Sequence, residues 1–195
     1  MEENLFTDLA MEDLSLHILD IVENSVAAKA DKVEITISEN KKMDLLSIEI
    51  SDNGIGMDQP ITNKVFDPFF STKTTRRFGL GLPLLLESAK AANGNLSLKS
   101  KKGQGTKIEA KFQHSHIDRK PLGDIGQTLI TLVMGNPEIE FIYIHKKNGC
   151  KCRLDTRKIK SQLKDKPINS LEGIKILKKD INKIQKKLKE VKNER

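Results

Sequence analysis

The sequence predicts an α/β protein, a two-layer α/β sandwich followed by a small α+β module that ends in a long basic helix. Three observations carry this. Apolar residues at helical spacing in "LSLHILDIVENSVAAKA" give way to two-residue alternation in "KVEITIS" and "LLSIEIS", a helix and then two half-buried strands. The same order recurs farther along the chain. The charge then changes sign: residues 1–145 hold 16 Lys/Arg against 21 Asp/Glu, a net of −5, while residues 146–195 hold 18 against 6, a net of +12. The high overall pI therefore belongs to the tail, and the front part is read separately from it.

Taken in order, Leu14, Ile18, Ile21, Val22 and Ser25 or Val26 form the apolar stripe of the first helix, with Asp13 as its N-cap. The polar "ENKKMD" joins the first two strands. "VFDPFFSTKTTRRFGLGLPLLLESAKAANG" reads as a loop entering a second helix that Gly94 ends. "NLSLKS", "KKGQG" and "TKIEAKF" make a hairpin. Beyond it, "GDIGQTLITLVMGNP" is a short helix closed by Gly135 and Pro137, and "EIEFIYIHKKNGCKCRLDT" a hairpin on a Lys-Asn-Gly turn. Last, Ile174, Leu177, Ile181, Ile184, Leu188 and Val191 recur at spacings of three and four among lysines, a helix of about 20 residues with a narrow seam. That seam wants a partner helix, a docked protein or the body of the chain itself.

Several classes are excluded or disfavoured. No apolar run reaches 18 residues, and the acidic start "MEENLFTDLAMEDLS" lacks the pattern of a signal peptide, so a cytoplasmic protein without a membrane span is expected. Cys150 and Cys152 are too close for an easy disulfide and too few for a zinc site, and are expected as free thiols. Residues 146–195 contain no aromatic side chain for base stacking, which makes nucleic acid an unlikely partner despite the charge.

The polar residues at element ends point to chemistry. Asp20 and Asn24 stand four apart and share one face of the first helix, and an Asn carbonyl is a suitable neutral oxygen for Mg²⁺. Asp52, at a strand end, could accept a hydrogen bond from an amino group at the bottom of a pocket. Gly54 and Gly56 would let the backbone pass close to a flat ligand. Gly79 and Gly81 stand immediately before a helix, where free N–H groups and the dipole favour phosphate.

In order and spacing, "LHILDIVENSVAAKA", "DNGIGM", "VFDPFFSTK", "GLGLPLL" and "GQGT" strongly resemble the ATP-binding domain shared by gyrase, the heat-shock chaperone ATPase, sensor histidine kinases and the mismatch-repair ATPase, the GHKL superfamily. The resemblance implies a domain over 10–116 and leaves 117–195 as a separate small module. It implies a Bergerat-type fold, a mixed sheet with helices on one face, binding ATP with Mg²⁺ under a flexible lid. By the same resemblance Asn24 binds the metal and Asp52 the adenine amino group, aided by Thr106 through water. Gly54, Gly56 and Met57 line the base, and Gly79, Leu80, Gly81 and Leu82 meet the phosphates. Phe66, Phe69 and Phe70 of "FDPFF" read as lid and core packing.

The chain also departs from the family pattern. Where hydrolysing members carry a glutamate four residues before the metal-binding Asn, this chain has Asp20, one methylene shorter, as its candidate base; Glu23 points to another face. Slow hydrolysis is expected. Ala27 replaces a lysine found in many histidine kinases, and the short lid leaves Lys73, Arg76 and Arg77 as the cations expected on the triphosphate. His17 lies inside the first helix, and His114 and His116 follow the last strand of the resembling region, so none is placed as a phosphoacceptor. The expectation is a kinase whose acceptor lies on a partner protein, as in the small anti-sigma-factor serine kinases. The alternative is an ATP-dependent switch with little chemistry. The tail helix is expected as a homodimer seam or a partner dock, unless it packs on its own module.

Overall fold

The computed structural model describes residues 12–67 and 80–191. Six strands form one mixed sheet in the order β3-β4-β2-β1-β5-β6, with β1 Lys32–Asn40, β2 Leu45–Asp52, β3 Asn95–Lys101, β4 Gly105–Gln113, β5 Glu140–Lys147 and β6 Cys150–Asp155. Only the β1–β5 pairing is parallel. The helices are α1 Leu14–Ala27, the short α2 Gln59–Thr62, α3 Gly81–Ala91, α4 Ile125–Gly135, α5 Thr156–Leu163 and α6 Leu171–Glu190. The expected α/β layering with a long C-terminal helix is therefore present.

The alternation read from the sequence sets the core face. Val33, Ile35 and Ile37 of β1 are fully buried, and cross-strand pairing aligns Ile35 with Ile50 and Ile108, and Ile37 with Ile48 and Ala110. Successive side chains alternate faces, so this row extends to Asp52 at one end and to Glu39 at the other. Helix α1 lies over the row with Leu14, Ile18, Ile21 and Val22 buried, and Asp13 caps it as expected, accepting from the Leu16 N–H at 3.1 Å. The outer face carries Glu49, Lys107, Glu109 and Lys111, with Lys107 and Glu49 paired at 2.8 Å.

Residues 117–195, read as a separate module, continue the same sheet. β5 hydrogen-bonds to β1, and one contiguous core runs from Leu14 of α1 to Ile181 of α6. The apolar seam of α6 is covered by the chain itself: Leu177, Ile181 and Leu188 are buried where α6 packs on α4, α5 and β6. The stripe expected as a homodimer seam or partner dock is thus used in part within the chain, with Ile174, Ile184 and Val191 left half-buried. A correction concerns α3. Asn93 takes the left-handed conformation after it (φ 51°), whereas Gly94 is needed for close approach, since a Cβ there would lie 1.8 Å from the Lys111 carbonyl. Both cysteines are free, Cys152 buried and Cys150 half-buried.

His17 sits on α1 at 1% exposure with neither ring nitrogen hydrogen-bonded among the described residues. Burial, helped by Lys120 and opposed by Asp13, pushes its pKa down from 6.5 to about 4. The folded state therefore holds His17 neutral over a pH range in which the unfolded chain takes up a proton. Its destabilising effect grows as pH falls from 6.5 and levels off below about 4. In chemical denaturation between those pH values, a His17→Leu protein should lose stability less steeply than the parent; equal slopes would remove His17 from the account.

Candidate functional site

The site is built where the core row of the sheet ends. Asp52 is the last core-facing residue of β2, paired across the sheet with Val33 and Thr106. Its carboxylate is held by three neutral donors from three segments. Oδ1 accepts from the Gly54 N–H at 2.9 Å and the Thr106 N–H at 3.2 Å, and Oδ2 accepts from the Ser25 hydroxyl of α1 at 2.8 Å. A carboxylate oxygen accepts about two hydrogen bonds, so Oδ1 is filled and Oδ2 retains one acceptor position.

After Asp52 the chain makes a strap pinned on both sides. The Ile55 N–H donates to the Ala28 carbonyl at 2.9 Å, and the Gly103 N–H donates to the Ile55 carbonyl at 2.7 Å. A Cβ on Gly54 would lie 2.6 Å from the Ala28 oxygen; one on Gly56, whose φ is +63°, would lie 2.1 Å from the Lys101 oxygen. The space both glycines leave open is thus filled by protein backbone, which explains why the turn needs two of them. The Met57 N–H donates to Ser100 Oγ at 2.8 Å, and Ser100 Oγ lies 2.9 Å from Thr106 Oγ1.

On the helix side, Asp20 and Asn24 are half-buried, one turn apart on α1. The Asn24 side-chain amide makes no hydrogen bond among the described residues, leaving its oxygen able to ligate a cation. Asp20 faces the start of α3 so closely that a Cβ on Gly81 would lie 1.7 Å from Asp20 Oδ2. A carboxylate there is favourable to the helix dipole. Leu80 stands at the N-cap of α3 without a side-chain cap bond, and Leu82 packs against the core. Phe66 is likewise packed on the core, while Phe69, Phe70, Lys73, Arg76, Arg77 and Gly79 lie outside the described residues.

Hydrogen bonds thus join Asp52, Gly54, Thr106 and Met57 through Ser25 and Ser100, and Asp20 meets Gly81; Asn24 shares α1 with Asp20, Gly56 stands in the strap, and Leu80 and Leu82 flank Gly81. Sequence reasoning placed Ser25 only on the apolar stripe of α1; a hydroxyl at an otherwise apolar position beside Asn24 was the available signal. Nothing in the sequence marked Ser100.

Residues 11–116 match the model of the histidine kinase-, DNA gyrase B- and HSP90-like ATPase family, over half of the chain, and the chain belongs to that family. Similar curated proteins include the sensor protein kinase FleS of Pseudomonas aeruginosa, 38% identical over 89 residues that make up 46% of this chain and 22% of that one. The sensor protein kinase WalK of Staphylococcus saprophyticus is 30% identical over 113 residues, 54% of this chain and 18% of the relative. The chain therefore spans about a fifth of these relatives' length. Among solved structures, the N-terminal domain of a DNA repair protein aligns with a TM-score of 0.55 at 18% identity, covering 78% of this chain and 57% of that one. That likeness is one of fold, and it reaches past residue 116 into the strands and helices that follow.

The Asp20–Gly81 contact gives a test of the assembly. Gly81→Ala should destabilise the protein by about 1 kcal/mol or less, since the added Cβ meets the far end of the Asp20 side chain, which can turn aside. Removing that carboxylate in Asp20→Ala should recover most of the loss, a coupling read from a double-mutant cycle of denaturation midpoints. Additive effects would show that the two residues do not meet.

Proposed function

We propose that the chain is a Mg-ATP-binding signalling protein that transfers the γ-phosphate to a partner protein, in the manner of histidine kinases or anti-sigma-factor kinases. The observation that carries this reading is the single acceptor position left on Asp52 Oδ2, beside Thr106 and one helical face away from Asn24 and the start of α3. An adenine amino group would donate to it. The residues fit the ligand at its other end too: the Asn24 amide oxygen would hold Mg²⁺, and the uncapped N–H groups at the start of α3 would face phosphate. When bound, Mg²⁺ neutralises charge on the phosphates. Asn24 orients that ion, Gly54 and Gly56 keep the strap flush beside the base, and Lys73, Arg76 and Arg77 are proposed phosphate contacts.

The four histidines support an acceptor on another chain. His17 and His145 are buried, and His114 and His116 follow β4 at the end of the sheet away from Asp52. One observation favours a second reading, an ATP-dependent switch with little transfer: Asp20, the candidate base, is packed against Gly81 at the helix start. Incubating the purified protein and candidate partners with γ-labelled ATP separates the two. Label on a partner supports the kinase, and label on none leaves the switch.

Asp52→Asn tests the base contact common to both. The two backbone N–H groups on Oδ1 would keep the amide oxygen there, placing the NH₂ where Oδ2 stood, donor facing donor. ATP affinity should fall by about tenfold or more in calorimetry, the loss of a hydrogen bond to a charged group. Asn24→Ala should weaken Mg-ATP far more than metal-free ADP. Undiminished ATP binding in the first variant, or equal losses in the second, would overturn these roles.

A further inference from the structure

A second site lies at the opposite end of the sheet. Asp52 pairs with Val33 near the start of β1, whereas Glu39 lies near its far end, about 20 Å along the strand. There the β1–β2 and β5–β6 turns enclose a cleft of about 580 Å³, within the size range of small-molecule sites. It is lined by Lys41, Lys42, Lys146, Lys147, Lys151 and Asn148.

Three features of this cleft point to one kind of ligand. First, Lys146 and Lys151 are direct cross-strand partners on β5 and β6, and like charges in that position destabilise a sheet. Neither has a carboxylate partner among the described residues. Second, Asn148 occupies the turn with φ 44°, followed by Gly149 at φ 85°, and its Oδ1 accepts from the Lys41 N–H at 3.3 Å. That bond orients the amide and leaves Nδ2 as a buried donor without a partner among the described residues, a costly arrangement that an acceptor would relieve. Third, the one carboxylate lining the cleft among the described residues, Glu39, is already engaged. It meets His145 Nε2 at 2.7 Å, His114 Nε2 at 3.5 Å and Lys147 Nζ at 4.0 Å. The cleft is therefore ringed by lysines, with no carboxylate among its described lining residues left to answer them.

We propose that this cleft binds a small solute bearing several phosphate groups, separately from ATP. Ammonium groups act as point-charge phosphate binders, and five lysines around one cleft suit a compact polyanion rather than a single carboxylate. The two-residue Asn-Gly turn makes the donor framework rigid, since its left-handed backbone matches the twist of β5 and β6.

The test uses the full chain, inorganic tripolyphosphate and a Lys146→Gln/Lys151→Gln protein. Amide resonances of Asn148, Gly149 and Lys151 should shift saturably in the parent. The double variant should bind about tenfold or more weakly there while any shift at Gly81 persists, because two charge-assisted contacts are gone. In low-salt buffer the double variant should also melt above the parent, a gap that tripolyphosphate closes and sodium chloride at equal ionic strength closes less. The proposal is overturned by absent shifts at the turn, by unchanged affinity in the variant or by an equal effect of sodium chloride. A DNA duplex that shifts the same amides at lower concentration than tripolyphosphate would also overturn it, making the surface one for nucleic acid.

Discussion

The structure turns on one carboxylate that strand geometry forces inward. Leu46, Ile48 and Ile50 alternate toward the core, so Asp52 must face the same way at the point where β2 ends. A partly buried carboxylate is tolerable only if donors meet it. Those donors come from α1, from the strap and from β4, so satisfying Asp52 fixes helix, turn and hairpin relative to one another. The two glycines of the strap follow from that constraint. With Ser25 drawn to Asp52, the end of α1 lies against the strap, and only a residue without a Cβ fits beneath the Ala28 carbonyl.

Much of this was legible because it is local. Alternation announced β1 and β2, an Asp before an apolar stripe announced the cap of α1, and the motif order announced the family. What stayed hidden depends on partners distant in sequence. "EFIYIH" was read as one arm of a hairpin, and it is; that β5 also lies parallel to β1 inside the main sheet is a pairing no local pattern states. Its lack of alternation was the trace, since Ile142 and Ile144 are buried on the face opposite Phe141 and Tyr143. The α6 seam was correctly seen as needing cover, but periodicity cannot say whose surface covers it. Ser25 was hidden for the same reason: its partner is 27 residues away.

Both ends of the core row finish in an acid, and the contrast between them separates a carboxylate answered by charge from one met by neutral donors. Glu39 is answered by ionisable groups. Burial alone would raise its pKa, but bonds to His145 and His114 and the charge of Lys147 hold it below the usual carboxylate range. Its charge is spent within the fold. Among the described residues, Asp52 is met by a hydroxyl and two backbone N–H groups, donors that orient the carboxylate without cancelling its charge. A neutral amino group that needs an acceptor is drawn to the second kind and not to the first.

The same accounting shapes the proposed nucleotide site as a whole. Its described fixed charges are Asp52 and Asp20, and Asp20 stands at the helix start that would face phosphate. A carboxylate there offsets the helix dipole and repels an anion, so the N–H groups of α3 alone are a poor phosphate site. Under the proposed reading, binding becomes favourable only when positive charge arrives from elsewhere: from Mg²⁺ at Asn24, and from Lys73, Arg76 and Arg77. Affinity is then conditional on the metal and on that basic segment together.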